Sequence, residues 1–257
     1  MKYFQNIEII IAPKSKNKVV FQCDENYFKE FGIYNLLSCN KHKHDVHLHL
    51  INPSELLLDN IKNLNLTIDL SISKELLELE NINFYKLKSY YFCSRYFITD
   101  YLFTHDLIQK AYITDADVIF NENISFDDDV NLGILYYPHH STPWKQTGAN
   151  FLYVTDKKKQ FIKNIVNLYN EKVEAINFNI ISEDMDKMIR ANMYGLDQVC
   201  MSALIKEETN FLNIATIDNF VTKQQTAKIW SLTGPWKKDP NIKTILENHI
   251  KYGIDIK

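Results

Sequence analysis

Two periodicities alternate along this chain, and the switches between them mark its elements. Val19-Val20-Phe21-Gln22-Cys23 is a nearly continuous apolar run, the pattern of a buried strand. From about Asn26 to Cys39 the residues Tyr27, Phe28, Phe31, Tyr34 and Leu37 recur near helical spacing, which predicts a helix. Asp45 to Ile51 alternates as a strand does, Pro53-Ser54 opens a further helix, and Leu64 to Leu70 is another strand candidate. An aromatic-rich stretch from about Tyr90 to Leu107 reads as a buried helix leading into the short strand Ala111-Tyr112-Ile113-Thr114. In the second half, strand candidates Leu132 to Tyr137, Asn150 to Val154 and Phe211 to Ile217 alternate with helices near Lys157 to Tyr169 and Leu196 to Lys206.

Strands and helices in alternation predict an α/β fold: a Rossmann-like, mostly parallel central sheet with helices on both faces. The 257 residues show no internal repeat and no low-complexity linker, so we read one domain over 1–257. About 18–125 forms a ligand-binding half and about 126–257 a half that shapes a second pocket. In such sheets ligands lie beyond the carboxyl ends of the strands. Two stretches end strands in that way, Cys23-Asp24-Glu25-Asn26-Tyr27 and Asp115-Ala116-Asp117.

Composition narrows the function. With 29 basic and 32 acidic residues the net charge is −3, without the basic excess that a nucleic-acid partner needs. The four cysteines, Cys23, Cys39, Cys93 and Cys200, are scattered without a C-x-x-C pair, which argues against a zinc site or disulfide framework and for a reducing, cytoplasmic setting. The apolar run Ile7 to Ala12 is interrupted by Glu8, too short and too charged for a signal peptide or a membrane span. From Trp236 to Lys257 five Lys face three acidic residues, a small excess that allows weak peripheral contact with an anionic membrane, but a solvated helix is the better reading.

The sharpest chemical feature is Asp115-Ala116-Asp117 between apolar runs. Paired carboxylates leaving a core strand are hard oxygen ligands suited to Mg²⁺ or Mn²⁺. The same spacing at Asp127/Asp129 and Asp184/Asp186 lacks the strand context and reads as solvated charge. Arg95 stands in an otherwise apolar helix and needs a partner; a structural ion pair with Asp100 or Asp106 competes with a ligand-binding role. Asp24 is a good N-cap as well as a candidate ligand residue. His47 and His49 share one strand face and read as solvated, while His139-His140 and Trp144 lie in a loop beside the second pocket.

These motifs, in this order from about Val19 to Lys237, resemble the family 8 glycosyltransferases, the group of glycogenin and the bacterial lipopolysaccharide galactosyl- and glucosyltransferases. The resemblance implies that Gln22, Asp24, Asn26 and Tyr27 hold the base and ribose of a nucleotide-sugar donor, UDP-sugar favoured. It puts Arg95 beside the donor and makes Asp115 and Asp117 ligands of Mn²⁺ or Mg²⁺, with Ala116 between them. Gly148-Ala149-Asn150 occupies the place of an Asn-Ala-Gly stretch, in permuted order, with Asn150 toward the donor sugar. Asp197-Gln198 resembles the pair beside the reacting sugar, Asp197 on its hydroxyls and Gln198 opposite the leaving group. Ser231-Leu232-Thr233-Gly234-Pro235-Trp236-Lys237 is similar to a His-x-x-Gly-x-x-Lys motif, in which Gly234 and Lys237 take the diphosphate. Ser231 replaces the histidine that serves there as third metal ligand.

The implied activity is transfer of a sugar to a hydroxyl of a glycan or lipid-linked saccharide, with retention of configuration. Two other readings stay open: a non-catalytic nucleotide-sugar binding or scaffold protein with a decayed metal site, and a nucleotidyltransferase.

Overall fold

The computed structural model describes residues 6–78, 84–175, 195–208, 210–213, 221–222, 227–232 and 237–251. Gly234 and the Asp184/Asp186 pair lie outside them, as does the part of the Phe211 to Ile217 candidate beyond residue 213.

The strands of the first half are β1 (Ile7–Ile11), β2 (Asn17–Asp24), β3 (Val46–Ile51), β4 (Leu70–Glu75), β5 (Lys110–Thr114) and β6 (Val118–Phe120). Later come β7 (Leu132–Tyr136), β8 (Thr147–Thr155), β9 (Leu212–Asn213), β10 (Val221–Thr222) and β11 (Ile229–Ser231). The helices are α1 (Glu25–Tyr27), α2 (Ile33–Lys41), α3 (Glu55–Lys62), α4 (Phe84–Thr104), α5 (Pro143–Gln146), α6 (Lys159–Ala175), α7 (Leu196–Ile205) and α8 (Ile242–Lys251). A π turn over Phe28–Gly32 joins α1 to α2.

Among the described residues one eight-stranded sheet has the order β1-β4-β3-β2-β5-β8-β7-β9, and β10-β11-β6 form a second, small sheet. The centre is parallel: β2 pairs with β3 and β5, and β3 pairs with β4. β1, absent from the elements read in the sequence, closes one edge antiparallel to β4.

Alternation along the strands sorts side chains to two covered faces. Val20, Ile113, Leu152 and Val154 pack with Phe97, Ile165 and Met201, under α4, α6 and α7. Val19, Phe21, Tyr112, Phe151 and Tyr153 face the other way, with Leu36, Leu57 and Ile61 of α2 and α3. The expected α/β fold with helices on both faces is therefore present. α8 spends its apolar stripe inside the molecule, where Ile242 and Leu246 pack with Phe31, Ile119 and Trp230.

Two readings of the sequence are corrected. Leu64 to Leu70 is not one strand; pairing begins only at Leu70. The preceding residues stay in turns, with Leu64 N–H donating to Ile61 and Leu66 N–H to Leu64. Asp69 then ends the loop, since its carboxylate accepts from the N–H groups of Lys14 and Ser15 and pairs with the buried Lys18. His47 and His49 are fully buried rather than solvated, because α4 covers their face of the sheet. His47 Nδ1 and Nε2 lie 2.9 Å from Ser71 Oγ and 2.9 Å from Ser73 Oγ, and His49 Nδ1 lies 2.8 Å from Ser73 Oγ. This ladder ends at the buried Glu75, which is 3.6 Å from His49 Nε2 and accepts from the Tyr90 hydroxyl of α4.

Candidate active site

Chain connectivity locates a crevice before any side chain is considered. From β2 the chain runs outward to β3 and β4, then returns to place β5 on β2's other flank. The carboxyl ends of these two parallel neighbours diverge into loops on opposite sides, and ligands bind at such a switch point. A cavity of about 390 Å³ opens there.

Its walls come from four stretches. The end of β2 gives Gln22, Cys23 and Asp24, and α1 gives Tyr27. Asp24 caps α1, its Oδ1 accepting from Tyr27 N–H at 2.8 Å, so the N-cap role read from the sequence holds while the residue still lines the cavity. Gln22 donates through Nε2 to the Tyr91 carbonyl, and its Oε1 is buried without a partner among the described residues. α4 contributes Lys88, Tyr91, Phe92 and Arg95. The turn between β5 and β6 contributes Asp115, Ala116 and Asp117, and Lys237 closes the set. Backbone pairing brings that last stretch in: β11 lies against β6 with Ser231 opposite Val118, and Leu232 N–H donates to the Asp117 carbonyl at 2.9 Å.

Ion pairs organise the floor. Arg95, with a side chain 3% exposed, bonds Asp115 Oδ1 through Nη1 and Asp197 Oδ2 through Nη2, the latter at 2.7 Å. Its partners are therefore Asp115 and Asp197, not Asp100 or Asp106. Lys237 Nζ pairs with Asp117 Oδ2 and lies 2.6 Å from the Tyr27 hydroxyl, which itself donates to Asp117 Oδ2 at 2.9 Å. From behind, Asn35 Nδ2 donates to the Asp115 carbonyl at 3.0 Å.

The charges perturb one another in an interpretable way. Loss of water pushes the Asp115 carboxyl up to about 6; Arg95 pulls it down, and Asp117 and Asp197 push it further up. Asp197 is likewise raised by burial against the pull of Arg95. Burial works against the charge of Arg95, but Asp115, then Tyr96 and Asp197, outweigh it and hold the guanidinium above its ordinary value. Burial, then Asp117, raises the Tyr27 hydroxyl, which stays a proton donor.

The structure thus brings Gln22, Asp24, Tyr27, Arg95, Asp115, Ala116, Asp117 and Lys237 to one cavity. The other candidates stand elsewhere. Asn26 is exposed and outside the lining. Asp197 is buried behind Arg95 in the first turn of α7. Gln198 is tied to the start of β8, its Nε2 donating to the Thr147 carbonyl at 2.9 Å. Asn150 follows Gly148 on β8, next to Phe151, which pairs with Thr114, and it does not line the cavity. Ser231 Oγ is buried without a partner among the described residues, one strand away from the lining. His139 and His140 are exposed.

Lys88, Tyr91 and Phe92 went unread in the sequence. They precede Arg95 at helical spacing, so projecting α4 from Arg95 would have found them.

A divalent ion can be tested against this donor set. Asp115 Oδ2 and Asp117 Oδ1 have no hydrogen-bond partner among the described residues. Two hard oxygens at the cavity floor fit Mg²⁺ or Mn²⁺. No group of three His, Cys, Asp or Glu side chains suited to a metal occurs among the described residues.

No protein-family model and no curated protein matches the chain. Among solved structures it is similar to the glycosyltransferase GlyE of Streptococcus pneumoniae TIGR4. One GlyE structure matches with a TM-score of 0.52 at 14% identity over 92% of this chain and 60% of that one. The apo form matches with a TM-score of 0.47 at 17% identity over 78% and 46%. The chain therefore spans about half the length of the GlyE chains it matches. It has the fold of a glycosyltransferase domain.

Proposed function

We propose that the chain is a glycosyltransferase that moves a sugar from a nucleotide-diphosphate donor, UDP-sugar favoured, to a hydroxyl of a glycan or lipid-linked saccharide. One observation carries the reading. Asp115 and Asp117, each with one oxygen unpaired among the described residues, line one cavity with Arg95, Lys237 and Lys88 at the β2/β5 switch point of a glycosyltransferase fold. An aromatic wall of Tyr27, Tyr91 and Phe92 stands beside them.

The roles follow from position. The rings offer a face for a nucleobase. Asp24 and the buried Gln22 Oε1 are acceptors for N–H and ribose hydroxyl groups. Lys237 and Lys88 are the cations a diphosphate would meet. Asp115 and Asp117 would hold Mn²⁺ or Mg²⁺, which as a Lewis acid supplies stabilisation of the leaving diphosphate. Arg95 orients Asp115 and ties it to Asp197, placing α7 against the donor. Family 8 resemblance favours retention of configuration, with an oxocarbenium-like transition state.

A second reading has its own support: each of Asp115 and Asp117 already carries a cation of the protein. A nucleotide-sugar binding protein without turnover needs no more than this.

Incubation with a panel of nucleotide sugars and Mn²⁺, scoring nucleotide diphosphate release, separates the two. Release is expected from at least one donor, lowered about a hundredfold or more in Asp115→Ala and Asp117→Ala. No release from any donor, with nucleotide binding unchanged in both variants, sinks the enzymatic reading. Pyrophosphate release from a nucleoside triphosphate would point to a nucleotidyltransferase instead.

A further inference from the structure

Asp115 and Asp117 on the cavity floor, and Asp197 buried behind it, meet two cations. The cations differ in freedom. Arg95 is in the middle of α4, 3% exposed, and bridges two carboxylates. Lys237 is in a short turn before α8, 35% exposed, and its Nζ meets only Asp117 and Tyr27 in polar contact among the described residues. Asp117 beneath it is 2% exposed.

We propose that Lys237 is a resident counter-ion that holds Asp117 while the donor is absent and passes to the diphosphate when it arrives, so that the divalent ion and the nucleotide diphosphate bind as a coupled pair. This deepens the donor reading above and rests on it.

The argument is electrostatic. A bare carboxylate as buried as Asp117 is expensive, so it needs a cation in every state of the protein. While Lys237 supplies that cation, a divalent ion approaching alone must displace an ammonium or sit beside it, and like charges at contact distance in a half-dry cavity repel strongly. A diphosphate arriving alone and drawing Lys237 away would leave Asp117 without its cation. The pair arriving together meets neither difficulty. The diphosphate would take the lysine and Asp117 would be free to hold the ion, and a divalent cation with the doubly charged diphosphate of a nucleotide sugar would leave the summed charge unchanged. Lys88 and Asp24, which also line the cavity, are of opposite sign and do not alter that balance. The lysine stem is flexible enough for the exchange. Its present seat against the Tyr27 and Phe31 rings, 5.3 and 5.8 Å from their centroids, adds cation–π attraction that steadies the donor-free position.

The test is Mn²⁺ binding by the full chain, measured by electron paramagnetic resonance of free Mn²⁺ with and without UDP. Wild type is expected to bind Mn²⁺ weakly alone and roughly five- to a hundredfold more tightly with UDP. Lys237→Gln is expected to bind Mn²⁺ alone about tenfold more tightly than wild type while binding UDP more weakly. Lys237→Arg, which keeps a cation on Asp117, is expected to follow wild type. A lysine that only binds diphosphate would weaken UDP in Lys237→Gln and leave its Mn²⁺ affinity alone unchanged; that result overturns the exchange. So does a Lys237→Arg protein that binds Mn²⁺ alone as tightly as Lys237→Gln. Wild type that binds no UDP at all overturns the donor reading itself, so the two failures are told apart.

Discussion

The α4 helix covers two clusters of buried polar side chains, one beneath Tyr90 and one around Arg95. In the first, His47, His49, Ser71, Ser73 and Glu75 form a ladder between β3 and β4, bonded among themselves and to Tyr90. In the second, Arg95 and Lys237 hold Asp115, Asp117 and Asp197. Arg95, Asp117 and Asp197 are as buried as the ladder, while Asp115 and Lys237 are partly exposed. Chemical reserve differs: the ladder turns its hydrogen bonds inward and lines no part of the cavity, whereas Asp115 Oδ2 and Asp117 Oδ1 have no hydrogen-bond partner among the described residues, and both residues line the cavity. Buried polarity by itself therefore marks a well-satisfied core as readily as a site. Spare valence next to a void is what separates them.

Three measurements can break or sharpen that contrast. The largest effect is expected from Arg95→Met, which leaves Asp115 and Asp197 without their cation. Urea unfolding at pH 7.5 should show a loss of about 3–5 kcal/mol. Without Arg95 both folded carboxyls stand further above the value of 3.8 that they have in the open chain. A carboxyl raised in the folded state costs stability above its unfolded pKa, so the deficit should shrink as the pH falls toward 5. An equal loss at pH 7.5 and pH 5 would show that the bridge is packing rather than charge.

Ser73→Ala comes next. It removes the hydroxyl shared by His47 and His49, and should cost about 1–3 kcal/mol with UDP affinity unchanged. Weaker UDP binding in this variant would join the two clusters into one unit and end the contrast.

The smallest effect is a pH slope. Burial lowers His47, with His49 and Lys18 adding to it, and burial also lowers His44. A histidine depressed in the folded state binds fewer protons there than in the open chain. Stability is then complete well above pH 6.5 and falls as the pH drops through it, by at most about 1.4 kcal/mol per pH unit for each histidine. Urea midpoints of wild type and His47→Asn between pH 7.5 and 6 should converge on acidification; parallel curves would mean that His47 is charged in the folded state.

Much of this was legible in the chain because short-range patterns wrote it. The apolar run ending at Cys23 and the strand ending at Thr114 marked the strand ends that flank the cavity. Arg95 stood out as a charge in an apolar helix. What the sequence hid was decided at long range. His47 and His49 alternate like an outward face, and only the placement of α4 turns that face inward. Leu64, Leu66 and Ile68 keep a strand's period in a loop, since alternation records one covered side and not a paired backbone. Lys237 meets Asp117 and Tyr27 across 210 residues of sequence in the latter case, a contact that depends on β11 pairing with β6.

The π turn at Phe28–Gly32 has a consequence best put in angles. The Tyr27 hydroxyl reaches the Asp117 carboxylate and the Asn35 amide reaches the Asp115 carbonyl, so two positions on either side of the π turn address the same tripeptide. At about 100° per residue an unbroken α-helix would set residues 27 and 35 roughly 80° apart around its axis. The π turn winds less per residue and narrows that offset. It tunes the phase of the helix, aiming two side chains at one target from different heights.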